Sequence, residues 1–383
     1  MQRYEYLKTI AGDTRDALVV VAHAAREWNA VRPGDANFRI RTLGLTSSTA
    51  LGIALGLPHR KVVAIDGDGA FLMNLCGLPT IAQQKPSNLI HLLFDNGCYE
   101  TAGGGRSATA TVVDAVAVAR GTGYPNACWA NEPEEFRREF RKAWEKNELS
   151  LIGARVEPGT PAPFSFPIDE IENKYHFIRH IEALEKKRVL PIADHSASAE
   201  YGRPSPVAGS AMTAEQHANH IAQGLIKAGV NFIVSLPDRK YVKLVEAVDG
   251  NPAFHHVPLC REEEGIAICT GAYLTGKKSA ILMQNAGLLN SCNALTTLAL
   301  QHEIPMLLLI YYAGDIGDRG FTTLGSVTEP VLQGLGIRTY LLKKIERAEE
   351  TLIDAQILAE DSKRPVAVLL TKAALGVKYP PRQ

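Results

Sequence analysis

The sequence predicts an α/β protein built from two doubly wound parallel-sheet domains. Three observations predict it. The chain has 383 residues, more than one ordinary core organises and suited to two domains. Short apolar runs alternate with helix-like segments along most of its length. That alternation is interrupted once, by a polar stretch rich in Pro, Ser and Ala.

In the first half, DALVVVA (16–22), KVVAI (61–65), NLIHLLF (88–94) and LSLIGARV (149–156) read as buried strands. STALGIALGL (48–57), FLMNLCGLPTIAQQ (71–84) and NEPEEFRREFRKAWEKN (131–147) read as helices, the last expected to start at Asn131 with Glu134 three residues on. Strands that are apolar throughout, rather than alternately, belong to a parallel sheet covered on both faces. Residues 186–210, KKRVLPIADHSASAEYGRPSPVAGS, lack periodicity and read as a linker. A second series follows, with helices over 213–229, 241–248 and 263–276 and strands over 231–236, 254–259, 278–283 and 305–312. The expected division is a first domain over 1–185, a linker over 186–210 and a second domain over 211–383.

Hydrophobic content of 46% and charged content of 21% are ordinary for a globular chain. Lys+Arg and Asp+Glu each number 41, so the net charge is zero and no nucleic-acid footprint or acidic tail is present. The six cysteines form no C-x-x-C pair and predict neither a zinc site nor a disulfide framework. No segment approaches the roughly 18 apolar residues of a membrane span, and MQRYEYLKTIAGDTRD has no apolar signal core. The expectation is a cytoplasmic protein without membrane or nucleic-acid partners.

The chemistry-bearing stretch is KVVAIDGDGAFLMN, residues 61–74. A buried strand runs into Asp66-Gly67-Asp68-Gly69, and the next strand runs into Asp95-Asn96-Gly97. In open α/β sheets ligands bind beyond the carboxyl ends of the strands, so Asp68 and Asn96 are expected side by side at one edge. Both offer hard oxygen atoms, which suit Mg²⁺ held together with phosphate groups. The glycines admit backbone N–H groups to phosphate oxygens, and the following helix directs its N-terminus at them. The bland alternative is two ordinary turns capping strands, since Asp, Asn and Gly dominate turns anyway.

GDG followed some 25 residues later by a pair ending in Asn resembles the thiamine-diphosphate binding motif. GDGAFLMNL and LFDNGCYETAGG look most like the small phosphonopyruvate and sulfopyruvate decarboxylases. The resemblance implies that Asp68 and Asn96 ligate Mg²⁺ by side chain and Cys98 by its backbone carbonyl. It implies that Gly67, Gly69 and Ala70 line the diphosphate, with Gly44 and Tyr99 also in the cofactor-binding set. Enzymes of this class ionise thiamine diphosphate with a glutamate on its aminopyrimidine ring. In FHHVPLCREEEGIAICTGAYLTGKK, aligning Gly271 with the family's glycine places that residue at Glu262, rather than Glu263 or Glu264. The bland alternative is three glutamates favouring the positive end of a helix. MQNAGLLNSCNALTTL follows as in the family and brings Asn285 to the cofactor and Asn290 to the substrate.

The family's substrates carry a keto acid at one end and a phosphonate or sulfonate at the other, which calls for cationic or N–H donors. The candidates are Arg106, Arg239 and Lys240; Asp238 in PDRK matches an active-site acid of related decarboxylases. Here Thr42-Leu43-Gly44 replaces the family's Ser-Met-Gly, Glu100 stands where relatives often have Gly, and Ala22-His23-Ala24-Ala25 replaces a Gly- and Ser/Thr-rich turn. His23 and Glu100 are therefore candidate acid–base groups. The diphosphate domain comes first and the pyrimidine domain second, the reverse of the fused phosphonopyruvate enzymes.

The implied reaction is non-oxidative decarboxylation of a 2-keto acid to an aldehyde and CO₂, in a homodimer or homotetramer with active sites between chains. The alternative is carboligation to an acyloin or acetolactate-type product. A silent, partner-binding relative predicts loss of Glu262, Asp68 or Asn96, and all three are present. A nicotinamide enzyme predicts a G-x-G-x-x-G after the first strand, which is missing.

Overall fold

The computed structural model describes residues 1–14, 16–189, 212–315, 318 and 321–377. It divides into two compact units, one covering Met1–Val189 and the other most of Leu190–Gln383. The expected linker lies outside the described residues from position 190 onward.

The first unit holds a six-stranded, wholly parallel sheet: β1 (Leu18–Val21), β2 (Asn37–Arg39), β3 (Val62–Gly67), β4 (Leu89–Asp95), β7 (Asn126–Trp129) and β8 (Ser150–Arg155), in the order β2-β1-β3-β4-β8-β7. The four apolar runs are its four central strands; β2 and β7 are short edge strands not read from the sequence. A small antiparallel hairpin, β5 (Cys98–Tyr99) and β6 (Gly105–Arg106), follows β4. Strand order reverses between β1 and β3, where an open sheet leaves a crevice at its carboxyl edge.

Helices cover the sheet for identifiable reasons. Pro133–Lys146 buries Phe136, Phe140 and Ala143, one stripe at helical spacing, against Tyr6 and Phe94. It starts two residues later than expected, with Pro133 in its first turn, and Asn131 is used elsewhere: its Oδ1 accepts the Arg155 N–H at 3.0 Å. The helix expected over 71–84 is two helices, Asp68–Met73 and Gly77–Gln84. Asn74 breaks it, because its side-chain amide bonds Ser48 Oγ at 3.1 Å while its backbone leaves the helical region.

The second unit repeats the plan with β9 (Phe232–Ser235), β10 (His255–Pro258), β11 (Ser279–Gln284), β12 (Leu307–Tyr311), β13 (Arg338–Leu342) and β14 (Val366–Leu370). All are parallel, in the order β10-β9-β11-β12-β14-β13, so the reversal falls between β9 and β11. The helix Ala214–Lys227 opens on a capping box formed by Thr213 and Gln216. Among the described residues no helix is long and apolar enough to cross a membrane.

Candidate active site

In the first unit, β1, β3 and β4 are neighbours, and the residues beyond their carboxyl ends line one pocket: His23 after β1, Gly67, Asp68, Gly69 and Ala70 at β3, and Asn96, Cys98, Tyr99 and Glu100 after β4. The sheet therefore assembles the two motifs that the sequence places 28 residues apart.

Asp68 is only 2% exposed. Ser107 Oγ donates to its Oδ2 at 2.6 Å, and Thr109 Oγ1 stands between Asp68 Oδ2 at 2.9 Å and Asp95 Oδ1 at 2.8 Å. Among the described residues, Asp68 Oδ1 has only the long 3.4 Å contact from the Asn96 N–H. Burial pushes the Asp95 carboxyl above its ordinary value, and the neighbouring Asp68 charge adds to this against the Thr109 hydrogen bond. Neither carboxylate forms an ion pair among the described residues. Two buried acids with hydroxyl partners and no ion pair among the described residues fit a divalent metal, because an uncompensated buried charge is costly. Among the described residues no cluster of three His, Cys, Asp or Glu side chains surrounds such a position; a metal there would take its remaining ligands from phosphate and water.

Glu100 is the hub of the pocket. Its Oε2 accepts from Asn96 Nδ2 at 2.9 Å and lies 3.3 Å from His23 Nε2, while its Oε1 accepts the Gly159 N–H at 2.7 Å. Burial opposes ionisation, but Arg3, the Gly159 N–H and His23 outweigh it and hold the carboxyl below its ordinary value. Asn96 Oδ1 accepts the Cys98 N–H at 3.1 Å. Burial, helped by Glu100 and Asp68, pushes the Cys98 thiol up.

The glycines divide by role. A side chain at Gly69 would meet the Tyr99 ring at 2.7 Å, whereas at Gly67 the nearest atom is His23 Cδ2 at 3.8 Å, leaving room over the turn. Gly44 has φ +87°, a conformation that favours glycine, in the loop entering the helix Thr46–Gly56. Arg106 is exposed on the hairpin, its Nη2 3.4 Å from the Ala110 carbonyl, and does not line the pocket.

In the second unit, Glu262, Glu263 and Glu264 open the helix Glu262–Leu274, and their surroundings differ. Glu264 is fully buried, and its Oε1 accepts the Cys260 and Arg261 N–H groups at 2.8 and 3.1 Å. Glu263 faces Arg261 at 3.5 Å. Glu262, 8% exposed, has no hydrogen bond or ion pair among the described residues and packs against Gly287. Asp238, after β9, accepts from Gln284 Nε2 at 2.8 Å and from the Lys240 N–H at 2.7 Å. Arg239 and Asn290 are exposed and Lys240 half-buried. Asn285 is buried, with Nδ2 donating to the Ala313 carbonyl and Thr328 Oγ1 at 2.8 Å each and Oδ1 without a partner among the described residues.

Ser235, His256 and Asp249 form a hydrogen-bonded chain, 2.8 Å from Oγ to Nε2 and 2.9 Å from Nδ1 to Oδ1. Ser235 is buried within β9, so the chain ties strand to loop.

Comparison with known proteins gives this geometry its context. Residues 22–154 match the thiamine pyrophosphate enzyme, C-terminal TPP binding domain, and residues 215–315 match the thiamine pyrophosphate enzyme, N-terminal TPP binding domain. Over 184 residues, 47% of this chain and 96% of the relative, it is 41% identical to sulfopyruvate decarboxylase subunit beta of Methanothermobacter thermautotrophicus. Over 152 residues, 39% of this chain and 91% of the relative, it is 35% identical to subunit alpha of the Methanococcus maripaludis enzyme. The chain belongs to the thiamine-diphosphate-dependent phosphonopyruvate/sulfopyruvate decarboxylase family. Within that family it carries the diphosphate-binding domain first and the pyrimidine-binding domain second. The fold is shared more widely: a transketolase from Campylobacter jejuni superposes with a TM-score of 0.65 at 13% identity, covering 97% of this chain and 71% of that one.

Sequence reasoning missed Arg3, Ser107, Thr109 and Gly159. Ser107 and Thr109 carry a signal, as hydroxyl residues in RSATAT just after the second motif. Arg3 carries none.

Proposed function

We propose that this chain is a thiamine-diphosphate- and Mg²⁺-dependent decarboxylase that converts a 2-keto acid with a second anionic end, of the sulfopyruvate or phosphonopyruvate kind, to an aldehyde and CO₂. The observation that carries the reading is Asp68, a buried carboxylate held by Ser107 and Thr109 with no ion pair among the described residues. Asp68 and Asn96, with the Cys98 carbonyl, would hold Mg²⁺, and Gly44, Gly67, Gly69, Ala70 and Tyr99 would border the diphosphate. Glu262 would meet the aminopyrimidine ring, with Asn285 beside the cofactor; that Glu262 has no hydrogen bond or ion pair among the described residues supports this role over Glu263 and Glu264. When bound, thiamine diphosphate supplies a sink for the electron pair left behind by CO₂.

The residues of the chain supply the rest. Glu100 accepts from Asn96 Nδ2, which turns the amide oxygen away from Glu100. The same carboxylate accepts from His23 Nε2, giving the imidazole a fixed orientation from which to deliver a proton. Asp238 is oriented by Gln284 and the Lys240 N–H for a second proton-handling position. Arg106, Arg239, Lys240 and Asn290 would approach the substrate from loops. A cytoplasmic homodimer or homotetramer with active sites between chains belongs to the same proposal.

The test is CO₂ release from sulfopyruvate, phosphonopyruvate, pyruvate and a branched-chain keto acid, with product analysis in the presence of an acceptor aldehyde. Release from an anionic keto acid with the free aldehyde as product supports decarboxylation. A ligated product makes the chain a carboligase, and no release from any keto acid removes the reading.

A further inference from the structure

A second cavity, of about 520 Å³, adjoins the Asp68 pocket in the first unit and shares Arg3, His23, Leu43, Glu100 and Thr101 with it. Four arginines line it: Arg3, Arg26, Arg39 and Arg41. Its size falls within the range of small-molecule sites, roughly 300–1,000 Å³. The anion-binding cations expected from the sequence are others: Arg106, Arg239 and Lys240. The sequence carries no signal that groups these arginines, because they come from the N-terminal helix Arg3–Ile10, the helix Ala25–Val31 after β1, the last residue of β2 and the loop beyond it.

These arginines are not equally committed. Arg3 is buried against Glu27 at 2.7 Å. Arg39 bonds Glu170 at 2.6 Å and stands over the Phe166 ring at 4.7 Å. Arg41 pairs with the same Glu170 oxygen, yet its side chain is 65% exposed. Arg26 is exposed and forms no ion pair or hydrogen bond among the described residues. The acids are engaged as well: Glu27 by Arg3, Glu100 by Asn96, His23 and Gly159, and Glu170 by two guanidinium groups at once. The surplus positive charge therefore sits at Arg26 and Arg41, which line this cavity but not the Asp68 pocket.

We propose that this cavity is the subsite for the distal sulfonate or phosphonate of the substrate, with Arg26 and Arg41 as its ligands and Arg3 as the fixed charge between the two pockets. The inference rests on the decarboxylase reading and deepens it. A guanidinium fork matches the oxygen geometry of both anions. Placing the anion there leaves the keto-acid end at the shared wall, beside His23 and Glu100. Arg26 thereby becomes a specificity residue that separates charged-tail from uncharged-tail keto acids.

The test uses Arg26→Gln and Arg41→Gln holoenzymes and two readouts. The first is the ratio of kcat/KM for sulfopyruvate to that for 2-oxobutanoate, which is expected to fall about tenfold or more in each variant, the size of a lost charge-assisted hydrogen bond. The second is calorimetric titration with 3-sulfopropanoate, whose binding is expected to weaken by a similar factor. An unchanged ratio, or a fall confined to Arg106→Gln or Arg239→Gln, overturns the subsite. Absence of 3-sulfopropanoate binding to the unmodified protein overturns it too. If no keto acid is turned over but the anion binds and loses affinity in Arg26→Gln, the subsite stands and the decarboxylase reading falls.

Discussion

Gly287 has no side chain where Glu262 needs the space: a Cβ on Gly287 would come within 2.5 Å of Glu262 Cγ and 2.6 Å of its Oε1. The glycine of MQNAGLLN and the first glutamate of REEEG thus fit each other across two helices of the second unit. Gly287→Ala should push the carboxylate out of place, because Cγ is too near the backbone to swing clear. We expect a loss of about 1–3 kcal/mol in stability and a fall in turnover of at least roughly tenfold. Thermal unfolding and steady-state kinetics check the pair; normal turnover would show that the glutamate position is not critical.

Asp68→Asn keeps the shape and a hydrogen-bond acceptor for Ser107 and Thr109 while removing the charge. The expected outcome is a folded protein whose affinity for thiamine diphosphate no longer rises with added Mg²⁺. Calorimetric titration of the cofactor at several Mg²⁺ concentrations measures this. A response to Mg²⁺ equal to that of the parent protein would put the metal elsewhere.

Glu170 ties the helix Glu170–Glu185 to Arg39, at the end of β2, and to Arg41 just beyond it. Burial opposes its ionisation, but Arg41, its own backbone N–H and Arg39 hold the carboxyl below its ordinary value of 4.5. A carboxylate whose folded pKa is depressed contributes stability that is present above the unfolded value and is lost as pH falls through the folded one. Glu170→Gln should therefore destabilise the protein by roughly 2–4 kcal/mol near neutral pH, since it leaves buried charge unpaired. The difference from the parent should shrink as pH falls below about 4.5. Urea unfolding at pH 7 and pH 4 tests this, and a pH-independent difference would contradict the assignment.

What the sequence reveals depends on where information is concentrated. The central strands β3, β4 and β8 are legible because each carries a mostly apolar, buried run; β14, VAVLL, meets the same criterion, yet is not among the strands expected from the sequence. Strands β2 and β7 are short, and β13 is largely exposed at the sheet edge, so none carries a continuous apolar run. Asp68 and Asn96 are legible because strand-end motifs keep their spacing in the chain. Arg3 is not: its partner Glu27 lies 24 residues away, and only packing of the N-terminal helix brings them together. The break at Asn74 is hidden for a similar reason, since Ser48 comes from another helix.

We propose that Glu262, buried and without a hydrogen bond or ion pair among the described residues, makes bound thiamine diphosphate reactive. The most direct measurement compares the parent protein with Glu262→Gln for cofactor affinity and for CO₂ release from sulfopyruvate, with thiamine diphosphate and Mg²⁺ added to stripped protein. The parent is expected to release CO₂ only when both are present. Glu262→Gln is expected to bind the cofactor with affinity within a few-fold of the parent yet to turn over at least ~10²-fold more slowly. Equal turnover by the two proteins, or release without the cofactor, would contradict it.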